Sequence, residues 1–266
     1  MTLFTPLRPD PRALLPRLNP AAKLGAALLL MVVLFVSADG VTAAVVLAGL
    51  LGATAASGLE PRVLLARTWP LLLAALSVSV LNTFLAGEQR GDPIDLGLLT
   101  IGADTLLTGI GLGLRLLGIA YAGVLAVVTT DPTDLADSLV QQLRLSPRFA
   151  IGALAAARLL PIMADEWQIL TLARRARGVE AGRSPVAAVR LFFGQLLALL
   201  VAAIRRGTRL ALAMEARGFG TRPCRTVARP QVVRRPDWLL IAAAAALAAF
   251  AVGVSLGAGA WRFVLG

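Results

Sequence analysis

Two arginine-centred tripeptides, Ala176-Arg177-Gly178 and Ala216-Arg217-Gly218, are the residues of this chain best equipped to recognise another molecule. A guanidinium is a planar fork of donors that grips carboxylates or backbone carbonyls in pairs. The small residues on either side let a partner's backbone come close. The chemistry this points to is docking rather than bond breaking. The same tripeptide also reads as an ordinary helix ending: Ala favours helix, Arg in the last turn complements the helix dipole, and Gly tolerates the left-handed cap. Two copies 40 residues apart, each closing a long helical segment, suit a two-fold or pseudo-two-fold partner with one helix end per lobe.

Other chemistry is excluded by what is missing. There is no His and a single Cys, Cys224. Haem ligation, His/Cys metal sites, Ser-His or Cys-His catalysis and an internal disulfide therefore cannot be built, and no cofactor or metal is expected. Lys23 is the sole lysine and follows no glycine-rich phosphate loop, so ATP, if used, is bound by another subunit. Asp165-Glu166 lies among arginines, which favours ion pairing over acid–base catalysis.

The elements that must position these tripeptides belong to a membrane protein. Of 266 residues, 58% are hydrophobic and 15% charged, against roughly half and a quarter in a soluble domain. The apolar runs are continuous, which selects helices over a barrel. Five spans are expected: Leu24–Ala38, Val41–Ser57, Thr68–Ala86, Leu106–Val128 and Trp238–Ala260. The first follows a long leader rich in proline, unlike the compact lead of a signal peptide. The fold class is thus an all-α integral membrane protein. Residues 1–130 form the membrane domain, 131–236 the set of helices between the fourth and fifth spans, and 237–266 the last span.

Charge sets the orientation. Residues 131–236 carry 17 Arg against 7 acids, and 87–104 carry 4 acids against 1 Arg. The positive-inside rule places the N-terminus, the 58–67 loop and 131–236 in the cytoplasm. Val186–Ile204 is apolar enough to cross as well, but crossing would strand nine arginines outside. A long helix sloping along or into the inner membrane surface is expected instead. The basic balance of +11 reflects this bias and anionic lipid, not nucleic acid.

Within 131–236, Asp131-Pro132, Ser146-Pro147 and Ser184-Pro185 each predict a helix start. One short and two long helices follow, the latter running to about Arg177 and Arg217. Pro161 is expected to kink or divide the first long one. Both long helices begin apolar and end rich in Arg, as helices would that start against lipid or membrane helices and finish exposed in the cytoplasm. Arg115 lies deep in the fourth span, where a charge defaults to function, although a shifted span, snorkelling or a protein carbonyl would also account for it. Gly109 and Gly113 in the same span permit close packing, either within this chain or against another.

Four passages in order carry a family resemblance. Leu15-Pro16-Arg17-Leu18-Asn19-Pro20 with Lys23 resembles a "Leu-Asp/Asn-Pro-x-x-Lys" lead into the first span. Thr129-Thr130-Asp131-Pro132-Thr133-Asp134-Leu135 resembles a "Thr-Thr-x-Pro-x-x-Leu" segment after the fourth. Arg158-Leu159-Leu160-Pro161 precedes the first Ala-Arg-Gly, and Ala213-Met214-Glu215-Ala216-Arg217-Gly218-Phe219 carries the second. Together they resemble the transmembrane coupling subunit, or T component, of energy-coupling factor transporters. The resemblance implies a non-catalytic subunit of an ABC-type importer in a bacterial or archaeal cell membrane. Its partners would be two ABC-type ATPases, docked at Arg177 and Arg217, and a small membrane S component that binds a vitamin or transition-metal ion. Arg115, Gly109 and Gly113 are candidates for contact with that S component or for packing inside the membrane. A self-sufficient secondary transporter or channel is the alternative, and would need a polar path through the spans.

Overall fold

Proline decides where most of the helices begin. In the computed structural model α1 (Pro20–Val36), α3 (Pro61–Leu85), α5 (Pro132–Gln142), α6 (Pro147–Ala176) and α7 (Pro185–Ala216) all start at a proline. The remaining helices are α2 (Gly40–Ala55), α4 (Ala103–Val128) and α8 (Arg235–Gly257). Proline at the first helical position loses no hydrogen bond, and the residue before it can cap a free amide. Asn19 accepts from the Ala21 amide at 2.9 Å, Asp131 from Thr133 at 2.7 Å and Ser184 from Ala187 at 3.4 Å. Ser146 departs from expectation: its side chain makes no capping bond, and α6 starts on its proline alone. Pro161 does not divide α6, which is helical throughout. The structure describes every residue except 1–13, 56–57, 59–60, 86–92, 96–99, 181, 183, 221–226, 228 and 262–266. Arg8, Arg12, Cys224 and the last residues of the second and third expected spans (56–57 and 86) lie outside the described residues.

The chain divides into two compact units, Met1–Ser138 with Gln231–Gly266, and Leu139–Pro230. Sequence placed these boundaries at 130/131 and 236/237. The first turns of α5, with buried Ala136 and Ser138, fall in the first unit.

In the first unit α1, α2, α4 and α8 meet around Leu30, Leu34, Val46, Leu50, Tyr121, Leu125 and the alanines Ala244, Ala248 and Ala251. Small residues set the spacing, as they do where lipid supplies no hydrophobic drive between helices. A side chain at Gly113 would lie 2.9 Å from the Ala75 carbonyl of α3, and one at Gly111 would lie 3.1 Å from the Gly40 Cα of α2. Between α3 and α4 sits a small antiparallel hairpin, β1 (Pro93–Asp95) with β2 (Thr100–Gly102), which the sequence reading did not contain.

The turn between α1 and α2 is built on Asp39. Its carboxylate accepts from the Thr42 amide at 2.7 Å, from the Ser255 hydroxyl of α8 at 2.6 Å and from Ser37. Burial works to raise its pKa, but the hydrogen bonds from Ser255, Ser37 and Thr42 outweigh it and hold the group below the usual carboxylate value.

The second unit is an antiparallel pair. Arg174 donates to the Leu191 carbonyl at 3.0 Å, Gln195 to the Thr171 hydroxyl at 2.8 Å, and Arg206 pairs with Glu166 at 2.6 Å, so residues late in α6 face residues early in α7. Chain length requires this. Only Arg177 to Ser184 connect the helices, and eight residues reach at most about 29 Å, whereas α6 is about 45 Å long. The apolar-to-basic gradients of the two helices therefore run in opposite senses.

Among the described residues five helices are long and apolar enough to cross a membrane: α3 from Thr68, α4, α6, α7 and α8. They are not the five chosen from sequence. Helices α1 and α2 have 17 and 16 residues, about 26 and 24 Å, and are short for a span. Helices α6 and α7 qualify by composition despite their arginines.

Candidate docking site

Both Ala-Arg-Gly tripeptides end their helices in the same way. Gly178 and Gly218 are left-handed, with φ of 72° and 74°. The amide of Gly178 donates to the Arg175 carbonyl at 2.9 Å and that of Val179 to Arg174 at 3.0 Å. At the second tip Gly218 donates to Glu215 at 2.8 Å and Phe219 to Met214 at 3.0 Å. This paired pattern is the Schellman motif, which closes the last carbonyls of a helix and needs a residue tolerant of positive φ after the cap. Arg177 and Arg217 occupy the cap position itself, one residue outside the helix.

That geometry turns the guanidiniums outward. All six residues, Ala176, Arg177, Gly178, Ala216, Arg217 and Gly218, are exposed, and neither guanidinium is tied to another described residue. Nearby arginines behave differently: Arg174 and Arg206 reach across to the neighbouring helix, and Arg175 lies 4.0 Å from Glu180 in an exposed pair. A recess of about 580 Å³ opens beside the first tip, lined by Arg174, Arg175, Glu180, Phe192 and Gln195 among others. The antiparallel pairing separates the two tips. Arg177 lies at the start of α7, while Gly220, just beyond Arg217, lies against Arg148 at the start of α6. The tips therefore stand at opposite ends of a pair whose longer helix measures about 48 Å.

The exposed faces of this unit are apolar. Phe149, Leu160, Ile169, Val186, Phe193 and Leu197 are each more than half exposed. Trp167 and Phe192 hold the helices together edge to face at 5.4 Å, leaving the outer faces open.

Arg115, Gly109 and Gly113 lie elsewhere. Arg115 on α4 donates to the Phe35 carbonyl at the end of α1, its guanidinium 5.5 Å from the Phe35 ring. A side chain at Gly109 would lie 2.8 Å from the Ser79 carbonyl, and one at Gly113 would meet Ser79 and Ala75. All three have neighbours inside the first unit. Among the described residues no group of His, Cys, Asp or Glu could hold a metal ion.

A second polar cluster was not foreseen. Lys23, buried, donates to the Thr129 carbonyl at 2.7 Å and to Pro16 at 3.3 Å. Asp237, also buried, accepts from the Asn19 amide at 2.7 Å and the Arg234 amide at 2.6 Å. The first and second of the four family-like passages thus touch. An acid in the first turn of a wholly apolar helix was the available signal for Asp237.

Comparison with known proteins decides the family. Residues 12–227 match the family model described as cobalt transport protein. The chain belongs to that family. Among its relatives, the energy-coupling factor transporter transmembrane protein EcfT of Heliobacterium modesticaldum is 32% identical over 242 residues, 85% of this chain and 88% of the relative. Its namesake in Limosilactobacillus fermentum is 30% identical over 240 residues, covering 86% and 89%. The match to the Staphylococcus aureus protein of the same name is 30% identical but spans only about half of each chain, 48% and 51%. The chain is therefore a T component of the energy-coupling factor type and a multi-pass membrane protein.

Proposed function

We propose that this T component couples two ABC-type ATPases to a membrane S component, with Arg177 seated in one ATPase and Arg217 in the other. The observation that carries the reading is the pair of exposed, identically capped tips at opposite ends of the α6–α7 pair. A partner with two equivalent grooves, one per lobe, fits that spacing. An arginine on a rigid helix end also loses little freedom on docking. In this reading 131–236 and the N-terminus face the cytoplasm of a bacterial or archaeal cell, as the positive-inside rule directs. ATP-driven closure of the ATPases changes the separation of the tips and moves α6 and α7. Their open apolar faces receive lipid and the S component, which binds the substrate, a vitamin or a transition-metal ion. The T component itself catalyses nothing. A self-sufficient permease is less well supported: the one charge deep in α4, Arg115, is tied to the Phe35 carbonyl and marks no polar path.

The test is co-purification. Arg177→Ala with Arg217→Ala should abolish association with both ATPases while membrane insertion and yield stay at wild-type level. Recovery of both ATPases at wild-type stoichiometry would show that the tips are not the docking residues.

A further inference from the structure

The chain leaves the first unit through α5 and returns to it just before α8, with residues 139–230 between. Both connecting passages are fastened at one buried place. On the way out, the Thr129 carbonyl at the end of α4 accepts from Lys23 at 2.7 Å, and Asp134 lies in the first turn of α5. On the way back, Gln231 donates to Asp134 at 3.4 Å, and Asp237 receives the Arg234 amide at 2.6 Å and the Asn19 amide at 2.7 Å. Lys23, Asn19, Thr129 and Asp237 are each at most 6% exposed.

A buried ammonium needs acceptors, and removing it takes the Lys23 donor from the Thr129 carbonyl at the end of α4. Its placement here does more than satisfy itself. The end of α4 is held to Lys23 of α1, the start of α8 to Asn19 just ahead of α1, and Gln231 to Asp134 at the start of α5. A segment tied down at both ends at one point transmits force to what lies beneath that point. Tied at two unrelated places, or loosely, it would move without transmitting.

We propose that Lys23, with Asp134 and Asp237, is the anchor through which motion of the α6–α7 unit reaches the membrane bundle, so that Lys23 is a positioning residue for energy coupling. This rests on the coupling role proposed above. It predicts a separation that a merely structural residue would not give: without Lys23 the ATPases still dock and the tips still respond to ATP, but the bundle no longer follows.

The experiment is amide hydrogen exchange on the complete complex with its ATPases and S component, with and without Mg-ATP, for wild type, Lys23→Met, Lys23→Arg and Asp134→Asn. In Lys23→Met the ATPases should co-purify at wild-type stoichiometry, and protection in the first turns of α5 and α8 should fall at least about tenfold. The ATP-dependent change should persist at the ends of α6 and α7 and vanish from α1 and α4. Lys23→Arg, which keeps charge and donors, should restore the response, and Asp134→Asn should give an intermediate loss. An ATP response in α1 and α4 of Lys23→Met equal to that of wild type would overturn the proposal, as would a wild-type bundle that shows no response. If Lys23→Met does not accumulate, Asp134→Asn decides alone, and a wild-type response in that variant would overturn the proposal. Failure of the wild-type chain to bind ATPases would instead overturn the docking role.

Discussion

The two units treat their charged groups in opposite ways. In the bundle, Lys23, Asp39 and Asp237 are buried and hydrogen-bonded, and small residues bring the helices into close contact. In the α6–α7 unit, Arg177 and Arg217 stand exposed and untied, and only 6% of the most apolar stretch of either helix is buried, against 39% in α4. A polar group buried in a finished network contributes to stability, and losing its partner is costly. A polar group left in solvent contributes little to stability and keeps its full capacity for a partner. The bundle ties its buried charged groups within this chain, whereas in the docking role proposed above the α6–α7 unit is completed by other molecules. Substitutions in the two units should therefore fail differently, in stability on one side and in binding on the other.

The largest effect should come from a single tip. Where two tips engage a preformed pair of lobes, losing one converts bivalent to monovalent binding, a loss of about 10²- to 10⁴-fold in affinity. Arg177→Glu alone, titrated with the purified ATPases in detergent, should show a loss of that order, with the thermal midpoint unchanged. A loss below about tenfold would mean that the tips do not act together on one partner.

The reverse result is expected in the bundle. Gly113→Leu drives a side chain into the Ala75 carbonyl and Ser79, atoms of a packed neighbouring helix that cannot swing away. Overpacking of this kind costs about 1–3 kcal/mol. The thermal midpoint should fall while each folded molecule binds ATPases as wild type does. Weakened binding at an unchanged midpoint would place Gly113 in a contact with another chain.

What could be read from the sequence follows the range of the forces involved. The Ala-Arg-Gly ends were legible because a helix cap is local: Arg, Gly and the hydrogen bonds between them lie within six residues. The proline starts of α5, α6 and α7 were legible for the same reason. The opposed direction of α6 and α7 was also implicit in the eight residues between them, since chain length alone forbids a parallel return. The Lys23 cluster was not legible. Its hydrogen bonds join residues 106 and 218 positions apart, and neither helix periodicity nor charge balance reports such a meeting. Arg115 lies between these cases: its depth in a span was evident, but its carbonyl partner is 80 residues away.

Asp39 offers a pH test of the buried side. Its folded pKa is depressed, so it contributes stability that is fully present above the ordinary carboxylate value of about 4. That contribution is lost as pH falls through the lower folded value. Thermal midpoints of the purified protein should therefore drop on acidification below about pH 4, and Asp39→Asn should lower the midpoint at neutral pH while flattening the acid dependence. An unchanged acid slope in the variant would show that other carboxylates carry it.

The smallest effect separates the cap from the docking residue beside it. Nothing lies within 4 Å of a side chain added at Gly178, so Gly178→Ala meets no neighbour and costs only the left-handed backbone, about 1 kcal/mol. That strain frays the last turn and misaims Arg177, which should weaken ATPase binding by about fivefold. Gly178→Asn adds a larger side chain but tolerates positive φ, so it should bind more tightly than the alanine variant. If bulk at this position were what the partner reads, the order would reverse, with Asn the weaker of the two. The Ala-to-Asn order, measured side by side, thus tells whether the glycine serves the helix or the interface.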